Sequence, residues 1–410
     1  MDYDHVLELD RTDPLAASRA AFDLPEGVIY LDGNSLGALP RHVPGRVAEV
    51  IGQQWGRDLI QSWNRHDWIS MPARVGDRIA RLIGAESGEV VAADSTSVNL
   101  MKLLSAALAL RPERRTILSD NGNFPNDLYI AQGVAGLLDK EHRLRITDPD
   151  QVAEAIDEDV AVIMLTEVDY RSGRRHDMSD LTARAHAAGA LVIWDLCHSA
   201  GAMDVDLNGS NADMAVGCGY KYLNGGPGAP AFMFVARRLQ PVLKPALSGW
   251  MGHDQPFAFD LDYRPAAGIL RNLAGTPPIL GLTALDAALD SFDGVDMTRV
   301  RAKSLALGDL FVALARERLA CYGLEIITPE AHDVRGSQIS LRHPEAYAII
   351  QALIGEGVIG DFRMPDIARF GLVPLYNSFA DIWHAIERLE GVMAAGTYRQ
   401  PRFRERLAVT

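Results

Sequence analysis

The residue whose type and setting most clearly suggest chemistry is Lys221, a lone lysine between two tyrosines. It follows the short apolar run 214–216 and precedes a glycine-rich turn, within DMAVGCGYKYLNGGPG at residues 213–228. A lysine that enters the interior loses hydration, which pushes its amine toward the neutral form that can bond to an aldehyde as an imine. Taken alone, the pattern also fits a strand-end lysine whose ammonium reaches solvent along its flexible stem.

A carboxylate upstream gives this lysine a partner. The apolar run Ala190–Trp194 is typical of a buried parallel strand, and Asp195 follows it directly. A side chain at the carboxyl end of such a strand faces the crevice where α/β proteins bind ligands. Pyridoxal phosphate (PLP) needs both groups, because a lysine takes its aldehyde and a carboxylate keeps its ring nitrogen protonated. Asp195 alone could equally be a helix cap, but the pair favours a PLP site.

Two further segments could complete such a site. Asp94-Ser95-Thr96-Ser97 precedes a run of good helix formers at residues 98–110. Residues of these types are first of all N-caps, but the free N–H groups of a helix start also bind phosphate. Phe124 stands before a proline at the start of the next helix. Its ring could pack on that helix or stack on a flat cofactor.

The overall composition limits the classes of partner. The chain has 410 residues, 48% of them hydrophobic and 23% charged, as in an ordinary globular protein large enough for two domains. Its net charge of −14 argues against nucleic acid or an anionic membrane as the main partner, because both bind basic faces. Three widely spaced cysteines, no apolar leader and no run of membrane-spanning length predict a cytoplasmic protein with reduced thiols. Without CxxC or HExxH spacing, we expect no metal site.

Alternating patterns predict the elements that would hold these residues. Strands are expected at residues 116–118, 160–165, 190–194, 214–216 and 231–235, the last antiparallel and in seventh place in the sheet. Helices are expected from Val43 to about residue 59 and at 98–110, 149–156 and 179–188. This alternation predicts parallel βαβ units.

A second unit follows along the chain. A long helix is expected from Met297 to about residue 320, with strands near 324–327, 338–341 and 358–362 and helices near 346–354 and 382–393. We therefore divide the chain into an N-terminal arm (1–42), a large domain (43–290) and a small C-terminal domain (291–410).

Five short motifs stand in order along nearly the whole chain. They are GNSLG at 33–37, FPND at 124–127, DLCH at 195–198, YKYLN at 220–224 and PLYNSF at 374–379. Together they resemble the kynureninase family of PLP enzymes, which has the aspartate-aminotransferase fold. The lysine and aspartate are shared by many relatives, whereas YKYLN and PLYNSF are more specific to kynureninases. The resemblance implies the α/β architecture of fold type I, with a mostly parallel seven-stranded sheet in the large domain and a smaller α+β domain.

The resemblance also implies roles for matching residues. Lys221 would hold PLP as an imine and then move protons, and Tyr220 would supply a proton in later steps. Asp195, supported by His198, would pair with the ring nitrogen, and Phe124 would stack on the ring. The phosphate and the ring substituents would be surrounded by Thr96, Ser97, Asp127, Thr166 and Tyr220.

Substrate contacts and a partner follow from the same resemblance. Arg369 matches the position that holds a substrate's α-carboxylate with its planar fork, although arginines also commonly form surface ion pairs. Asn34, Trp63 and Thr276 are the other expected substrate contacts. Trp250 and Thr276 would reach the phosphate site of a neighbouring subunit, which implies a homodimer with shared sites.

The implied activity is the hydrolysis of L-kynurenine to anthranilate and L-alanine by cleavage of the Cβ–Cγ bond, in tryptophan catabolism or NAD biosynthesis. 3-Hydroxykynurenine would be a further substrate. The alternative within enzymes is another PLP enzyme of fold type I, such as a cysteine desulfurase or an aminotransferase. A desulfurase needs a mobile nucleophilic cysteine, and Cys321 lies instead near the end of a long helix. A non-catalytic binding protein that retains the fold is the third interpretation.

Overall fold

The computed structural model describes residues 2–407, and their strands form three sheets. In chain order the strands are β1 (Ile29–Tyr30), β2 (Val90–Ala92), β3 (Thr116–Asp120), β4 (Arg143–Thr147), β5 (Val160–Thr166), β6 (Leu191–Asp195), β7 (Met214–Cys218), β8 (Ala231–Val235), β9 (Glu325–Ile326), β10 (Gln338–Arg342), β11 (Val358–Ile359), β12 (Asp361–Arg363) and β13 (Ile367–Gly371). The α-helices are α1 (Tyr3–Thr12), α2 (Val43–Glu49), α3 (Ser62–Arg65), α4 (Met71–Ala80), α5 (Thr96–Ala109), α6 (Pro125–Leu138), α7 (Met178–Ala187), α8 (Ile279–Ala288), α9 (Met297–Leu319), α10 (Ala346–Gly355) and α11 (Phe379–Ala395).

The largest sheet has seven strands in the order β2-β8-β7-β6-β5-β3-β4. Strand β8 runs antiparallel to both its neighbours, and the other pairings are parallel. This confirms the predicted mostly parallel seven-stranded sheet and the antiparallel strand at 231–235. That strand lies second from one edge, however, and not at an end of the sheet.

The central strands of this sheet are buried on both faces. In β6, Leu191 and Ile193 face one hydrophobic core while Val192 and Trp194 face the other. A strand covered by helices on both sides gains from apolar residues at every position, each buried side chain contributing about 1.5–3 kcal/mol. The polar residues at the carboxyl ends of these strands, Thr166 and Asp195, are thus held by a rigid layer.

The C-terminal unit is built on a four-stranded antiparallel sheet in the order β12-β13-β10-β9, with a core of its own. The N-terminal arm joins this unit, because β1 pairs with β11 and Val6 of α1 lies in the same core. The Asp10 carboxylate accepts hydrogen bonds from the first two N–H groups of α11, at 2.7 and 2.9 Å. An acidic group at a helix N-terminus is favourable there. The domain boundaries at residues 42 and 290 stay predictions.

Two glycines of the GNSLG motif explain why the motif packs where it does. A Cβ on Gly37 would collide with the Lys221 carbonyl, while the Gly37 N–H donates to the Tyr220 carbonyl at 2.8 Å. A Cβ on Gly33 would collide with the Tyr376 hydroxyl. The motif therefore lies against both the lysine loop and the PLYNSF segment.

Several predicted elements differ from the observed ones. The helix expected at 149–156 is only the short 3-10 segment Pro149–Gln151. The expected strand at 358–362 is split into β11 and β12, and the helix predicted from Val43 continues as a π-helix, Val50–Asp58. Strand β13 was not predicted, although its five residues are all buried. Between residues 2 and 407, no helix is both long and apolar enough to cross a bilayer, and no group of acidic, cysteine or histidine residues could hold a metal.

Candidate active site

A cavity of about 260 Å³ lies at the carboxyl ends of the central strands. Thr166, Asp195 and Val216 are register partners across β5, β6 and β7, so the strand ends form one continuous edge. The lining residues include most of the predicted cofactor contacts. They are Ser95, Thr96, Ser97, Phe124, Asn126, Asp127, Thr166, Tyr170, Asp195, Cys197, His198, Tyr220 and Lys221.

The amine of Lys221 lies inside this cavity and contacts His198. Lys221 Nζ is 3.1 Å from His198 Nε2, and His198 Nδ1 is 3.3 Å from Gln338 Oε1. Burial, together with the charge of Lys221, lowers the pKa of the imidazole well below its usual value. The neutral ring can therefore accept a hydrogen bond from the Lys221 ammonium. His198 was expected to support Asp195; its ring nitrogens instead contact Lys221 and Gln338.

The charge state of Lys221 also differs from the expectation. Burial is the largest single influence and lowers its pKa, as the sequence argument assumed. The neighbouring acidic groups of Cys218, Cys197, Tyr220 and Asp195 together outweigh burial and raise the pKa above its ordinary value. Without a bound cofactor, Lys221 is thus a buried ammonium that must lose a proton before it can act as a nucleophile.

Two carboxyl groups face each other beside this amine. Asp195 is 5% exposed, and its Oδ1 accepts a hydrogen bond from the Cys197 N–H at 2.8 Å. The carboxyl of Asp127 contacts that of Asp195, and burial followed by the Asp195 charge raises the pKa of Asp127 well above its usual range. Two buried carboxyls in contact disfavour each other's ionisation, since two negative charges repel. Asp127 Oδ2 has no hydrogen-bond partner within the described part of the chain.

The start of α5 forms another wall of the cavity. Ser95 is the N-cap, and its hydroxyl accepts from the Val98 N–H at 3.4 Å. Thr96 Oγ1 lies 3.7 Å from Cys197 Sγ, and the Ser97 hydroxyl donates to Asn126 Oδ1 at 3.1 Å. The first N–H groups of a 14-residue helix and these hydroxyls suit an anion such as phosphate.

Aromatic side chains cover the open side. The Phe124 ring is 45% exposed and meets Tyr170 edge-on, with centroids 5.1 Å apart. Tyr220 is 37% exposed, and Lys221 Nζ lies 5.7 Å from its ring centroid. Burial raises the pKa of the Tyr220 phenol, so the hydroxyl stays protonated. The Thr166 hydroxyl is turned to the Val168 carbonyl, 3.2 Å away.

Arg369 lies beside the cavity on β13 and is only 1% exposed. Its Nε donates to Asp361 Oδ1 at 2.8 Å and its Nη2 to Asp361 Oδ2 at 2.5 Å. Its Nη1 donates to the carbonyl of Tyr170, a residue of the cavity wall, at 2.5 Å. The alternative of a surface ion pair is therefore wrong, because the pair with Asp361 is buried.

The loop after β1 completes this group. The Ser35 hydroxyl accepts from Arg369 Nη2 at 2.9 Å and from Arg363 Nη2 at 3.0 Å. The buried amide of Asn34 lies between Asp32 and Arg369; in the orientation that suits both, its Nδ2 is 3.3 Å from Asp32 Oδ1 and its Oδ1 accepts from Arg369 Nε at 2.9 Å. We call Asp32, Asp361, Arg363 and Arg369 the arginine cluster.

Three predicted site residues lie away from the cavity lining. Trp63 is half-buried and meets Trp68 edge-on at 5.7 Å. Trp250 is 40% exposed and packs edge-on against Phe257, and Thr276 is exposed. Among residues 2–407, none of the three makes a hydrogen bond, ion pair or ring contact with Lys221 or with the arginine cluster.

Several lining residues went unpredicted. Asn126 and Cys197 belong to the FPND and DLCH motifs, so their place in the motifs could have indicated that they line the site. Tyr170 follows a strand end, but nothing in its neighbourhood marks it. The pairing of Asp361 with Arg369 had no signal, because the two residues lie on different strands.

Comparison with known proteins agrees with this geometry. Residues 300–389 match the model of the kynureninase C-terminal domain. The chain is 52% identical over 412 aligned residues to the kynureninase of Burkholderia pseudomallei (strain 1106a), covering 99% of both chains. It is 51% identical to the kynureninase of Pseudomonas fluorescens, covering 98% of each.

The chain belongs to the kynureninase family.

Solved structures show how widely the fold of this family member is shared. The cysteine desulfurase CsdA from Escherichia coli superposes with a TM-score of 0.77 at 18% identity, covering 93% of this chain and 98% of that one. A C-DES variant with glycine covalently linked to its PLP cofactor superposes with a TM-score of 0.76 at 16% identity, covering 91% of this chain and 98% of that one. At such identities the likeness shows the fold alone, which is the PLP fold of type I.

Family and fold imply PLP as the cofactor of this kynureninase-family chain, and the cavity fits that group. It offers an amine for the aldehyde in Lys221 and a carboxyl for the ring nitrogen in Asp195. The helix start at α5 suits the phosphate, and the unpartnered Asp127 Oδ2 is a polar atom that a ligand can satisfy. The chain is therefore a PLP enzyme of the kynureninase type.

Proposed function

We propose that this protein hydrolyses L-kynurenine to anthranilate and L-alanine by cleaving the Cβ–Cγ bond, with Lys221 bonded to the PLP aldehyde. The observation that carries the proposal is a cavity lined by Lys221 and Asp195 in a kynureninase-family chain, with the buried Arg369 hydrogen-bonded to the carbonyl of Tyr170 in the cavity wall. A cavity that holds an amine and a carboxyl, with a guanidinium directly behind its wall, matches an amino-acid substrate bearing an α-carboxylate.

Bound PLP supplies an electron sink that stabilises negative charge developing next to the substrate amine. Lys221 would hold the PLP aldehyde and, as the base nearest to it, would take the proton from the substrate Cα. His198 can accept the hydrogen bond of the Lys221 ammonium, since its ring is neutral. Asp195 would keep the PLP ring nitrogen protonated.

The Tyr220 phenol is the group best placed to give a proton in later steps. It borders the cavity beside Lys221, and burial keeps it protonated. It could also serve only as a phosphate ligand. In the proposed reaction, Lys221 therefore takes the proton from Cα, and Tyr220 gives a proton to an atom farther along the substrate.

Arg369 orients the substrate through its α-carboxylate. Its guanidinium is fixed by the Tyr170 carbonyl and the Ser35 hydroxyl, so few rotamers are lost when a ligand binds. A fixed fork next to the cavity places Cα near Lys221, which is the positional contribution to catalysis.

We also propose a homodimer in which Trp250 and Thr276 serve the neighbouring subunit's site, and in which Asn34 and Trp63 contact substrate. The support is an exposed apolar surface around Trp250, where Phe257, Phe259 and Leu261 are 60%, 74% and 102% exposed. Patches of this kind mark interaction sites. Mixing inactive Lys221→Ala and Trp250→Ala chains should restore some activity; no recovery after proven subunit exchange would contradict shared sites.

A cytoplasmic enzyme of tryptophan catabolism is the setting that we propose. The three free cysteines of the described chain, two of them buried, support a reducing compartment. A contribution to NAD biosynthesis would follow if 3-hydroxykynurenine is also cleaved.

The activity is tested by adding L-kynurenine to the purified holoenzyme and following anthranilate fluorescence. Cysteine, with sulfide release as readout, is the matched test for a desulfurase, whose catalytic cysteine would have to be Cys321 at the end of α9. Anthranilate without sulfide is the expected result. Sulfide without anthranilate would overturn the proposal, and a protein that takes up no PLP would favour the non-catalytic interpretation.

A further inference from the structure

The arginine cluster contains a second carboxyl group that the proposed mechanism does not use. Asp32 follows β1 and forms an isolated bridge with Gly371, two residues after Arg369 on β13. Its carboxyl contacts that of Asp361 and interacts with the Ser35 hydroxyl. Two acidic groups in contact therefore stand beside two arginines.

The charges of this cluster decide whether it attracts an anion. Arg363 and Arg369 carry two positive charges, and Arg363 Nη2 lies 2.7 Å from Asp361 Oδ2. If Asp32 and Asp361 are both ionised, the cluster is neutral and offers an incoming carboxylate no net attraction. If Asp32 is protonated, one positive charge is left for the ligand. The charge of Asp32 alone switches between these states.

Of the two carboxyl groups in the arginine cluster, Asp32 is the one that changes its charge near pH 8. Arg369 and Arg363 outweigh burial and lower the pKa of Asp361, so that carboxyl stays ionised. Burial, followed by the charge of Asp361, raises the pKa of Asp32 to about 8. Near pH 8 the other titratable groups that face the cluster are neutral, because burial raises the pKa values of the phenols and lowers the pKa of the imidazole. They are Tyr30, Tyr222, Tyr376, Tyr170 and His198.

We propose that Asp32 is a positioning residue that must be protonated when a substrate's α-carboxylate binds at Arg369, so that binding above neutral pH takes up a proton. The inference rests on the proposed function, because it needs Arg369 to be the carboxylate site. Asp32 acts through Arg369: an ionised Asp32 cancels the charge that the carboxylate would otherwise meet. The substrate in turn favours the protonated acid.

The direction of the pH effect follows from this linkage. Below the pKa of Asp32 the acid is already protonated, so binding takes up no proton there. About one unit above it, free enzyme is mostly ionised, binding takes up about 0.9 proton, and affinity for the carboxylate falls about tenfold. KM for L-kynurenine should rise accordingly from pH 7 to pH 9.

Asp32→Asn fixes the side chain in a neutral form of nearly the same shape. The variant should therefore lose the part of the rise in KM between pH 7 and pH 9 that comes from ionisation of Asp32. Asp180→Asn removes one carboxylate from an exposed pair with Arg184 on α7 and is the matched control. That control should keep the wild-type pH dependence. An Asp32→Asn profile that runs parallel to wild type would overturn the inference.

A calorimetric measurement keeps the inference testable if Asp32→Asn does not fold. L-Alanine is titrated into wild-type holoenzyme at pH 7 and pH 9, in buffers of different ionisation enthalpy that report the protons taken up. Ethylamine, which has the amine but no carboxylate, is the matched ligand. The expected result is close to one more proton for L-alanine than for ethylamine at pH 9, and no difference at pH 7.

Equal proton counts for the two ligands at pH 9 would overturn the role of Asp32. Failure of the proposed function has a different signature, because it shows as absent anthranilate at pH 7 in the wild-type assay. L-Alanine has no Cβ–Cγ bond to cleave, so the difference between L-alanine and ethylamine reports binding of the α-carboxylate without turnover.

Discussion

The PLP cavity and the arginine cluster lie side by side but are assembled in different ways. The cavity is built from the ends of adjacent parallel strands, so that Thr166 and Asp195 meet because their strands are in register. The cluster joins the loop after β1 to β12 and β13, segments more than 300 residues apart in the chain. A site formed by one sheet edge can be inferred from its strands, whereas a site formed between remote segments cannot.

The two regions also manage buried charge differently. In the cavity, burial and the neighbouring Asp195 charge raise the pKa of Asp127, and a buried ammonium lies beside the two carboxyls. In the cluster, two arginines keep Asp361 ionised, while the pKa of Asp32 is raised to about 8. The cavity is thus arranged for proton transfer and the cluster for anion binding. Changing residues in each region should separate turnover from substrate affinity.

The largest effect is expected for Lys221→Ala in the cavity. Turnover of L-kynurenine should fall by at least ~10³-fold, because proton transfer by a positioned side chain contributes roughly 10²–10⁴-fold and the covalent link is also lost. Cofactor should still bind through the helix start at α5. Anthranilate fluorescence measures the first effect and equilibrium dialysis of PLP the second. Activity close to wild type would remove Lys221 from the mechanism.

Asp195→Ala should rank second. Without this carboxylate the ring nitrogen is a poor electron sink, and a lost charged hydrogen bond weakens PLP binding by about 1.5–3 kcal/mol. We expect kcat to fall by roughly 10²-fold or more, which is the scale of a lost electrostatic contact to the reacting group. Asp127→Asn is the matched comparison and should cost less. If the two variants behave alike, the carboxyls act as an interchangeable pair.

A smaller and different effect is expected for Arg369→Lys in the cluster. Lysine keeps the charge but cannot make the two-pronged contact, so KM should rise about 10–100-fold, equivalent to ~1.5–3 kcal/mol, with less change in kcat. Arg175→Lys alters another arginine paired with a buried acid, Glu167, outside the site, and is the control. A drop in kcat with constant KM would place Arg369 in the chemistry instead of in binding.

The smallest effect concerns the choice between substrates. If Thr276 serves the neighbouring subunit's site as proposed, it leaves the ring hydroxyl of 3-hydroxykynurenine without an amide partner, and an unpaired buried hydroxyl costs about 1–3 kcal/mol. We expect kcat/KM for L-kynurenine to exceed that for the 3-hydroxy compound about tenfold, or ~1.4 kcal/mol. Thr276→Asn should narrow the ratio. Equal kcat/KM values for the two substrates in the wild-type enzyme would show that Thr276 does not set the substrate preference.

Sequence reasoning located the cavity residues because their positions obey a local rule. Lys221 and Asp195 each follow a short buried strand, and the carboxyl ends of parallel strands converge. The rule does not say which neighbours a side chain will contact, and so His198 was assigned to Asp195 although it contacts Lys221. The charge of Lys221 was missed for the same reason, since it depends on four neighbouring groups.

The cluster was only partly predictable. Arg369 was found through its distance from the PLYNSF motif, but its strand was not, because β13 is a five-residue run with an arginine at its centre. Asp32 and Asp361 are ordinary acids in sequence, and their contact depends on three segments coming together. The predicted helix at 149–156 was also wrong, since only Pro149–Gln151 form a 3-10 turn there.

The pairing of β1 with β11 bears on how the chain is made. At roughly 5–20 residues per second, a ribosome needs about 15–65 s to produce the roughly 330 residues between Ile29 and Val358. The seven-stranded sheet lies wholly within that interval and can form while the first thirty or so residues still have no strand to join. The Asp32–Ser35 loop reaches Arg369 only after β13 has been synthesised. A segment that is synthesised before the whole seven-stranded sheet is therefore among the last to reach its final place.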